Sequence, residues 1–329
     1  MTKEKIIPVL EKRLKLIAPL VKVDWSYVKR YKKYSDWSRQ IFPYEGKSAG
    51  ETLKSIFHLN SMDWDRCFQE AVSGPGNEME RIRTLHSSAL LPLLCFSQVS
   101  TKRPLTYDGI KYVQAFFEVK NKVFYGPSSI DVVLKSEEGD ILFLESKFTE
   151  YLEGEKPKIK EKYFQFYHSI LSAHSDFPIK LVFPLKWTEK GEEMIGYTLR
   201  TVFSEAKDKL AYCEGIKQCL SHLIGIAKGP YSGEDRWNAK ETGQLTFGTI
   251  LFQVRGESFN TYKTLYAKTI GRLSPSDIKK GLEGDKDCKQ ECIDRLKILP
   301  NVLTYQELFS QKENSNILST EVRDYYGLK

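Results

Sequence analysis

Apolar positions recur along this chain with two different periods, and the changes of period outline its elements. Between residues 4 and 22, Ile6, Ile7, Val9, Leu10, Leu14, Ile17 and Leu20 follow helical spacing, interrupted by Pro8 and Pro19. The stretch Ser73-Gly74-Pro75-Gly76-Asn77 breaks the chain. Beyond it, Met79, Ile82, Leu85, Ala89, Leu90 and Leu93 predict one continuous helix. Asn77 is its N-cap, and Glu78 and Glu80 fall in the first turn, where the helix dipole favours acids. Strand-like runs follow at 109–120, 122–126, 128–135 and 140–148. Next come an aromatic helix at 163–174, a buried strand at 179–185 and a helix at 204–227 stopped by Gly229-Pro230. A strand at 244–254 and a helix at 288–299 complete the pattern. From Asn77 onward the order is helix, strands, helix, strand. That order predicts an α/β (α+β) protein with a central mixed β-sheet flanked by helices and further elements at both ends.

Composition narrows the class. The chain has 329 residues, 41% hydrophobic and 28% charged, enough for one large or two ordinary domains. No run of 18 apolar residues occurs, so a membrane-spanning helix is not expected. The first 20 residues interleave charge with apolar positions and lack a signal peptide's apolar core, so a cytoplasmic location is expected. Six cysteines, at 67, 95, 213, 219, 288 and 292, show no zinc spacing and read as reduced, buried thiols. The net charge of +7 lies wholly in residues 1–50, which carry twelve basic and five acidic residues. Residues 1–72 therefore read as a basic, aromatic-rich helical region, and 73–329 as a second unit. In 23–42, Trp25, Tyr27, Tyr31, Tyr34 and Trp37 interleave with Lys29, Arg30, Lys32, Lys33 and Arg39. Such aromatics can stack on bases while the cations meet phosphates, or they can be the buried face of a helix.

The chemistry concentrates in Ser128–Phe148. Asp131 opens one apolar run, and Glu145-Ser146-Lys147 closes the next. Between them Glu137-Glu138-Gly139-Asp140 forms a turn in which Gly139 can take a positive φ. A hairpin centred on residue 138 or 139 sets Asp131 opposite Glu145 or Lys147. The two-residue period then puts all three on one face. Burying three charges on an apolar sheet is costly unless they are paired or hold a metal. Two carboxylates suit Mg²⁺ or Mn²⁺, and a lysine beside them suits activation of water and stabilisation of charge on a phosphate. The triplet Glu-x-Lys occurs four times in the chain, so it says little by itself. Glu118-Val119-Lys120, with Asp108 upstream, is the internal competitor, and a structural salt-bridge network is the plain alternative.

An aspartate, a hairpin and then Glu-Ser-Lys, with a helix before and a helix plus strand after, resembles the PD-(D/E)XK nuclease superfamily, the restriction-endonuclease-like fold. The resemblance covers residues 73–185 and implies a Mg²⁺-dependent endodeoxyribonuclease acting on DNA, leaving 5′-phosphate and 3′-hydroxyl ends. It implies that Asp131, Glu145, the Ser146 carbonyl and a glutamate of the preceding helix hold the metal, and that Lys147 orients the attacking water. Glu78 is preferred to Glu80 as that glutamate because it shares a face with Ile82 and Leu85. Residue 130 is Ile rather than Pro, and the Gln-x-x-x-Tyr of RecB-like exonucleases is absent after the motif. Lys156, Lys158, Lys160 and Lys162 are candidates to follow a phosphate backbone, and Gln165 to reach the site. His86 reads as a hydrogen-bonded core histidine, and Gln218 and His222 as structural. Residues 200–329 are left as extra structure for specificity or for pairing two copies into a homodimer. A catalytically idle nucleic-acid-binding protein of the same fold is the alternative function.

Overall fold

Among the residues it describes, the computed structural model has eleven strands and twelve α-helices. It describes residues 3–21, 23–26, 38–41, 47–60, 62–74, 78–149, 157–189, 191–202, 210–240, 243–254 and 256–328. The chain begins with α1 (Lys3–Ile17), a two-stranded ladder of β1 (Val23–Ser26) and β2 (Ser38–Ile41), and helices α2 (Ala49–Ile56) and α3 (Trp64–Ala71). Helices α4 (Glu78–Arg81) and α5 (Leu90–Phe96) precede strands β3 (Leu105–Tyr107), β4 (Ile110–Lys122), β5 (Pro127–Ser136) and β6 (Ile141–Lys147). Helix α6 (Phe164–Ala173), the hairpin β7 (Ile179–Glu189) and β8 (Glu192–Thr201), helix α7 (Leu210–Lys228) and strand β9 (Leu245–Leu251) follow. The chain closes with α8 (Glu257–Ala267), α9 (Pro275–Gly281), α10 (Gln290–Asp294), β10 (Leu296–Ile298), β11 (Leu303–Thr304), α11 (Tyr305–Ser310) and α12 (Thr320–Tyr326).

The central sheet is mixed, in the order β10-β9-β6-β5-β4-β3, with β11 also paired to β9. Strands β3 to β6 form an antiparallel meander, whereas β9 runs parallel to β6. Every residue of β6 and β9 is buried, as befits strands covered on both faces. Helix α7 covers one face. On the other, Tyr305 of α11 packs on Phe96 of α5 and bonds the Ser146 hydroxyl at 2.7 Å. The expected α/β class with a mixed sheet between helices is therefore present.

Several elements depart from the pattern reading, each for a physical reason. The single helix expected from Glu78 to Leu93 is two short ones. Pro92 has no N–H and crowds the carbonyl four residues back, so a helix containing it must start just before it. Between the two, Thr84 Oγ1 donates to the Arg81 carbonyl at 2.8 Å and Ser87 Oγ accepts the Leu90 amide at 3.1 Å, closing turns in place of a helical ladder. In the run 122–126, Lys122 ends β4 and the other four residues are the β4–β5 turn rather than a separate strand, with Gly126 at φ +63°. The strand at 179–185 pairs only with β8 and is mostly not buried, so the parallel neighbour of β6 is β9. The helix expected at 288–299 stops at Asp294 and gives way to β10. In the basic N-terminal region, the two ends of 23–42 are paired strands rather than one helix.

Candidate active site

The β5–β6 ladder pairs Val132 with Leu144, Val133 with Phe143 and Leu134 with Leu142. One step further in the same register sets Asp131 across from Glu145. The loop that fixes this register is Glu137-Glu138-Gly139. The Ser136 amide donates to the Asp140 carbonyl at 2.9 Å, and Gly139 sits at φ +88°, a conformation that a Cβ would disfavour. Lys147, two residues beyond Glu145, returns to the same face and donates from Nζ to Glu145 Oε1 at 2.5 Å. Asp131 Oδ2 accepts the Ser146 amide at 2.6 Å. The three side chains singled out in the sequence thus stand together.

A fourth side chain joins them. His222 of α7 bonds through Nε2 to Glu145 Oε2 at 2.7 Å and through Nδ1 to Ser128 Oγ at 2.9 Å. Glu145 therefore has Lys147 on one oxygen and His222 on the other. It is 2% exposed, with Lys147 at 7% and His222 at 5%. Burial alone would push the Glu145 carboxyl up. The charges of Lys147 and His222, with their hydrogen bonds, outweigh that and hold it at about 2. Asp131 goes the other way. Burial first, then the Glu145 charge, raise it well above the ordinary carboxylate range, against the pull of Lys147 and the Ser146 amide. Two acids in one setting are driven apart by their neighbours, a pattern common at sites that do chemistry.

Glu118 adds its charge to Asp131 in the same direction. On β4, Phe117 and Val119 pair with Val132 and Ile130 of β5, so Glu118, Asp131 and Glu145 occupy one level on three adjacent strands. Glu118 leaves extended geometry, with φ at +50°. An arginine and two glutamates hold the backbone there. Arg236 donates to the Phe117 carbonyl at 2.6 Å and the Glu118 carbonyl at 3.3 Å, while Glu70 and Glu234 accept the amides of Phe117 and Lys120, both at 3.0 Å. A non-glycine residue in that region is uncommon, and such outliers concentrate at functional sites.

Glu118, Asp131 and Glu145 open onto a cavity of about 630 Å³, together with Lys147 and His222. Helix α7 forms one wall through Glu214, Lys217, Gln218, Ser221 and His222, a polar stripe at helical spacing. Its other face is apolar and buried, with Cys213, Ile216, Leu220, Leu223 and Ala227. Lys158, Lys160, Tyr163 and Tyr167 line another wall. Ile159 pins that segment by two backbone bonds to Tyr197, each 2.9 Å.

Of the other predicted residues, exposed Lys158 and half-buried Lys160 line this cavity, and Lys160 also pairs with Glu189 at 2.9 Å. Gln165 is exposed and is not among the lining residues, because it lies on the outward side of α6 while Phe166 and Tyr167 turn inward. Gln218 and His222, read as structural from the sequence, line the cavity. Lys32, Lys33 and Lys156 lie outside the described residues, as do the side chains of Glu78 and Glu80, although Glu78 opens α4. Missing from the sequence reading were the bonds of His222 to Glu145 and Ser128 and the alignment of Glu118 with Asp131. The polar stripe on α7 was the available signal. Six cysteines are free thiols, five of them buried, as expected. No described helix is long and apolar enough to cross a membrane.

Divalent metal chemistry can be tested against this donor set. Among the described residues, no three His, Cys, Asp or Glu side chains close on one point as a complete ion cage. Mg²⁺ does not require one, since it takes one or two carboxylates and fills the rest of its shell with water and phosphate oxygens. Asp131 and Glu145 supply such a pair of hard oxygen donors, and a cation beside them would offset the burial and the Glu145 charge that raise the Asp131 carboxyl. The residues fit the ion. Comparison with protein-family models, curated proteins and solved structures returns no match.

Proposed function

We propose that this chain is a metal-dependent nuclease of the PD-(D/E)XK type that hydrolyses phosphodiester bonds in DNA. The observation that carries the reading is the meeting of Asp131 and Glu145 at one register level, with Lys147 Nζ 2.5 Å from Glu145, on the wall of an open cavity. Support also comes from the surrounding order. The acids sit on a hairpin, and a helix (α7) and a strand parallel to the motif strand (β9) follow, the strand more than 60 residues further along than the sequence suggested.

In this reading Asp131, Glu145 and the Ser146 carbonyl would hold the metal, which would supply charge stabilisation at the scissile phosphate and a more acidic water. The Ser146 amide fixes the orientation of Asp131, and His222, itself held by Ser128, fixes that of Glu145. Such outer partners set the aim of ligating groups. Lys147 donates hydrogen bonds from Nζ into the site, where it orients the attacking water and offsets the negative charge gathered by substrate and acids. Lys158 and Lys160 at the cavity wall meet backbone phosphates.

One observation favours a second reading. Both oxygens of Glu145 are engaged by protein side chains, as in a closed salt-bridge network. Such a network would leave a nucleic-acid-binding protein without turnover. Incubation with supercoiled plasmid and single-stranded DNA separates the two, using Mg²⁺, Mn²⁺ or a chelator beside Asp131→Ala and Lys147→Ala. Metal-dependent cleavage that both variants abolish supports the nuclease. Salt-sensitive binding without cleavage by any form supports the binding protein.

A further inference from the structure

The cavity has an aromatic and basic mouth that the acid cluster does not use. At the β4–β5 turn, Tyr125 stands 54% exposed, an unusual position for a large ring in a tight connection. It lines the same cavity as Asp131. The turn itself is firm. The Val123 amide bonds the Gly126 carbonyl at 3.4 Å, Gly126 takes φ +63°, and Phe124 packs edge-on against Tyr163 at 5.1 Å. Behind Tyr125, Tyr163 lies 6.4 Å away at an interplanar angle of 31°, and Tyr167 continues the row 6.5 Å beyond. The ammonium of Lys160 is 5.2 Å from the Tyr125 ring centre, and that of Lys162 lies over the ring. From Pro127, which follows the turn, to Asp131 is four strand residues, about 13 Å.

We infer that Tyr125 is a base-stacking platform and that the substrate reaches the acids as a single strand, with Lys158, Lys160 and Lys162 along its phosphates. The inference rests on the nuclease reading and names its substrate class. Two features carry it. A cavity of 630 Å³ has the size of a pocket for a compact ligand such as one or two nucleotides. Its walls are α7, the β4–β5 turn and the segment pinned at Ile159. An exposed ring flanked by cations is also the combination that binds single strands without regard to sequence, because every base has a π-face. Bases already paired in a duplex keep their faces covered and gain nothing from Tyr125.

The test uses the full chain and a fluorescein-labelled oligonucleotide, single-stranded or annealed to its complement as a blunt duplex. Affinity is read by polarisation in chelator, and cleavage of the same probes is read in Mg²⁺. The single strand should bind at least tenfold more tightly than the duplex. Tyr125→Ala should weaken single-strand binding by about fivefold to a hundredfold and leave duplex binding unchanged, whereas Tyr125→Trp should retain it. Equal affinity for the two probes, or Tyr125→Ala binding like wild type, overturns the inference. The cleavage arm separates this from the parent reading. Cutting of both probes that ignores Tyr125 keeps the nuclease and sinks the platform. Tyr125-dependent single-strand binding with no cutting keeps the platform and sinks the nuclease.

Discussion

Replacing Asp131 by Asn should make the metal-free protein more stable while removing its activity. Asn keeps an oxygen for the Ser146 amide, which Asp131 holds at 2.6 Å, so the local fold is retained and only charge is lost. Side chains directly opposite in an antiparallel pair lie about 5 Å apart, which at an effective dielectric constant of about 20 puts the Asp131–Glu145 repulsion near 3 kcal/mol. Lys147 is the diagonal neighbour, about 7 Å away, and returns about 2 kcal/mol. Half-buried Glu118 adds a screened share of repulsion. The balance predicts a gain of about 1–2 kcal/mol for Asp131→Asn, or about 1.5–3 °C in Tm for a chain of 329 residues.

The pH dependence carries the same sign. Burial, and then the Glu145 charge, raise the Asp131 carboxyl above its ordinary 3.8 in the folded chain. A folded state that holds a proton more tightly than the unfolded state loses stability as pH rises through that interval. The wild-type protein should therefore give up stability above about pH 4, and Asp131→Asn should not. Mg²⁺ reverses the ranking. At a hundredfold excess over its dissociation constant a ligand adds about 2.7 kcal/mol to the state that binds it, and the Asn variant lacks the charge to draw it. Thermal melts of both proteins, with chelator and with Mg²⁺ across pH, measure each term. Asp131→Asn less stable than wild type in chelator, or a wild-type Tm indifferent to Mg²⁺, would refute the view of Asp131 as a charge held for a cation.

Three further outcomes follow from the site. Lys147→Ala leaves Glu145 buried with one partner fewer. It should cost about 3–5 kcal/mol by urea titration and lower the cleavage rate by about 10²–10³, so undiminished cleavage would remove Lys147 from the chemistry. His222→Ala should lower activity by about 10–100-fold, with partial recovery in His222→Gln, because the ring aims Glu145. In the wild type Glu145 adds stability that is complete above about 4.5 and is lost as pH falls through about 2. His222→Ala should shrink that contribution, and acid titration of both proteins would show parallel curves if His222 has no such hold. Gly243→Ala would drive a Cβ into the backbone of Gly139 and Asp140 in the β5–β6 loop, costing about 1–3 kcal/mol and loosening the register that aligns the acids. A wild-type melting curve for this variant would show that the loop adapts freely.

The hairpin was legible because its information is local. Alternating and continuous apolar runs fix strands, Gly139 fixes the turn, and the two-residue period then dictates which side chains share a face. The parallel partner of β6 was not legible. Strands at 179–189 and 245–251 both have apolar runs, and only the packing decides between them. The first is mostly not buried and turns back into β8 as a separate ribbon, whereas all seven residues of the second are buried. Likewise the apolar spacing across Glu78–Leu93 was real, but Pro92 and the hydroxyls of Thr84 and Ser87 overrode it.

The site divides along the same line. Asp131, Glu145 and Lys147 belong to one hairpin, so their meeting follows from pairing alone. Glu118 and His222 belong to it only through the sheet and α7. Glu118 was weighed as part of a rival Glu-x-Lys motif, with Lys120 as its partner. Its motif does not compete with the hairpin, because β4 pairs with β5 at the register that brings Glu118 level with Asp131. What looked like two alternative sites along the chain is one row of acids across three strands. His222 lies 77 positions from Glu145, and nothing in its neighbours names that partner. Its helix does carry a clue, since a helix buried on one face seldom spends Glu214, Lys217, Gln218, Ser221 and His222 on a second stripe beneath other structure unless that stripe faces water or a ligand. Such a stripe is first a cavity wall, and as a wall it faces His222 toward the buried acids of the sheet.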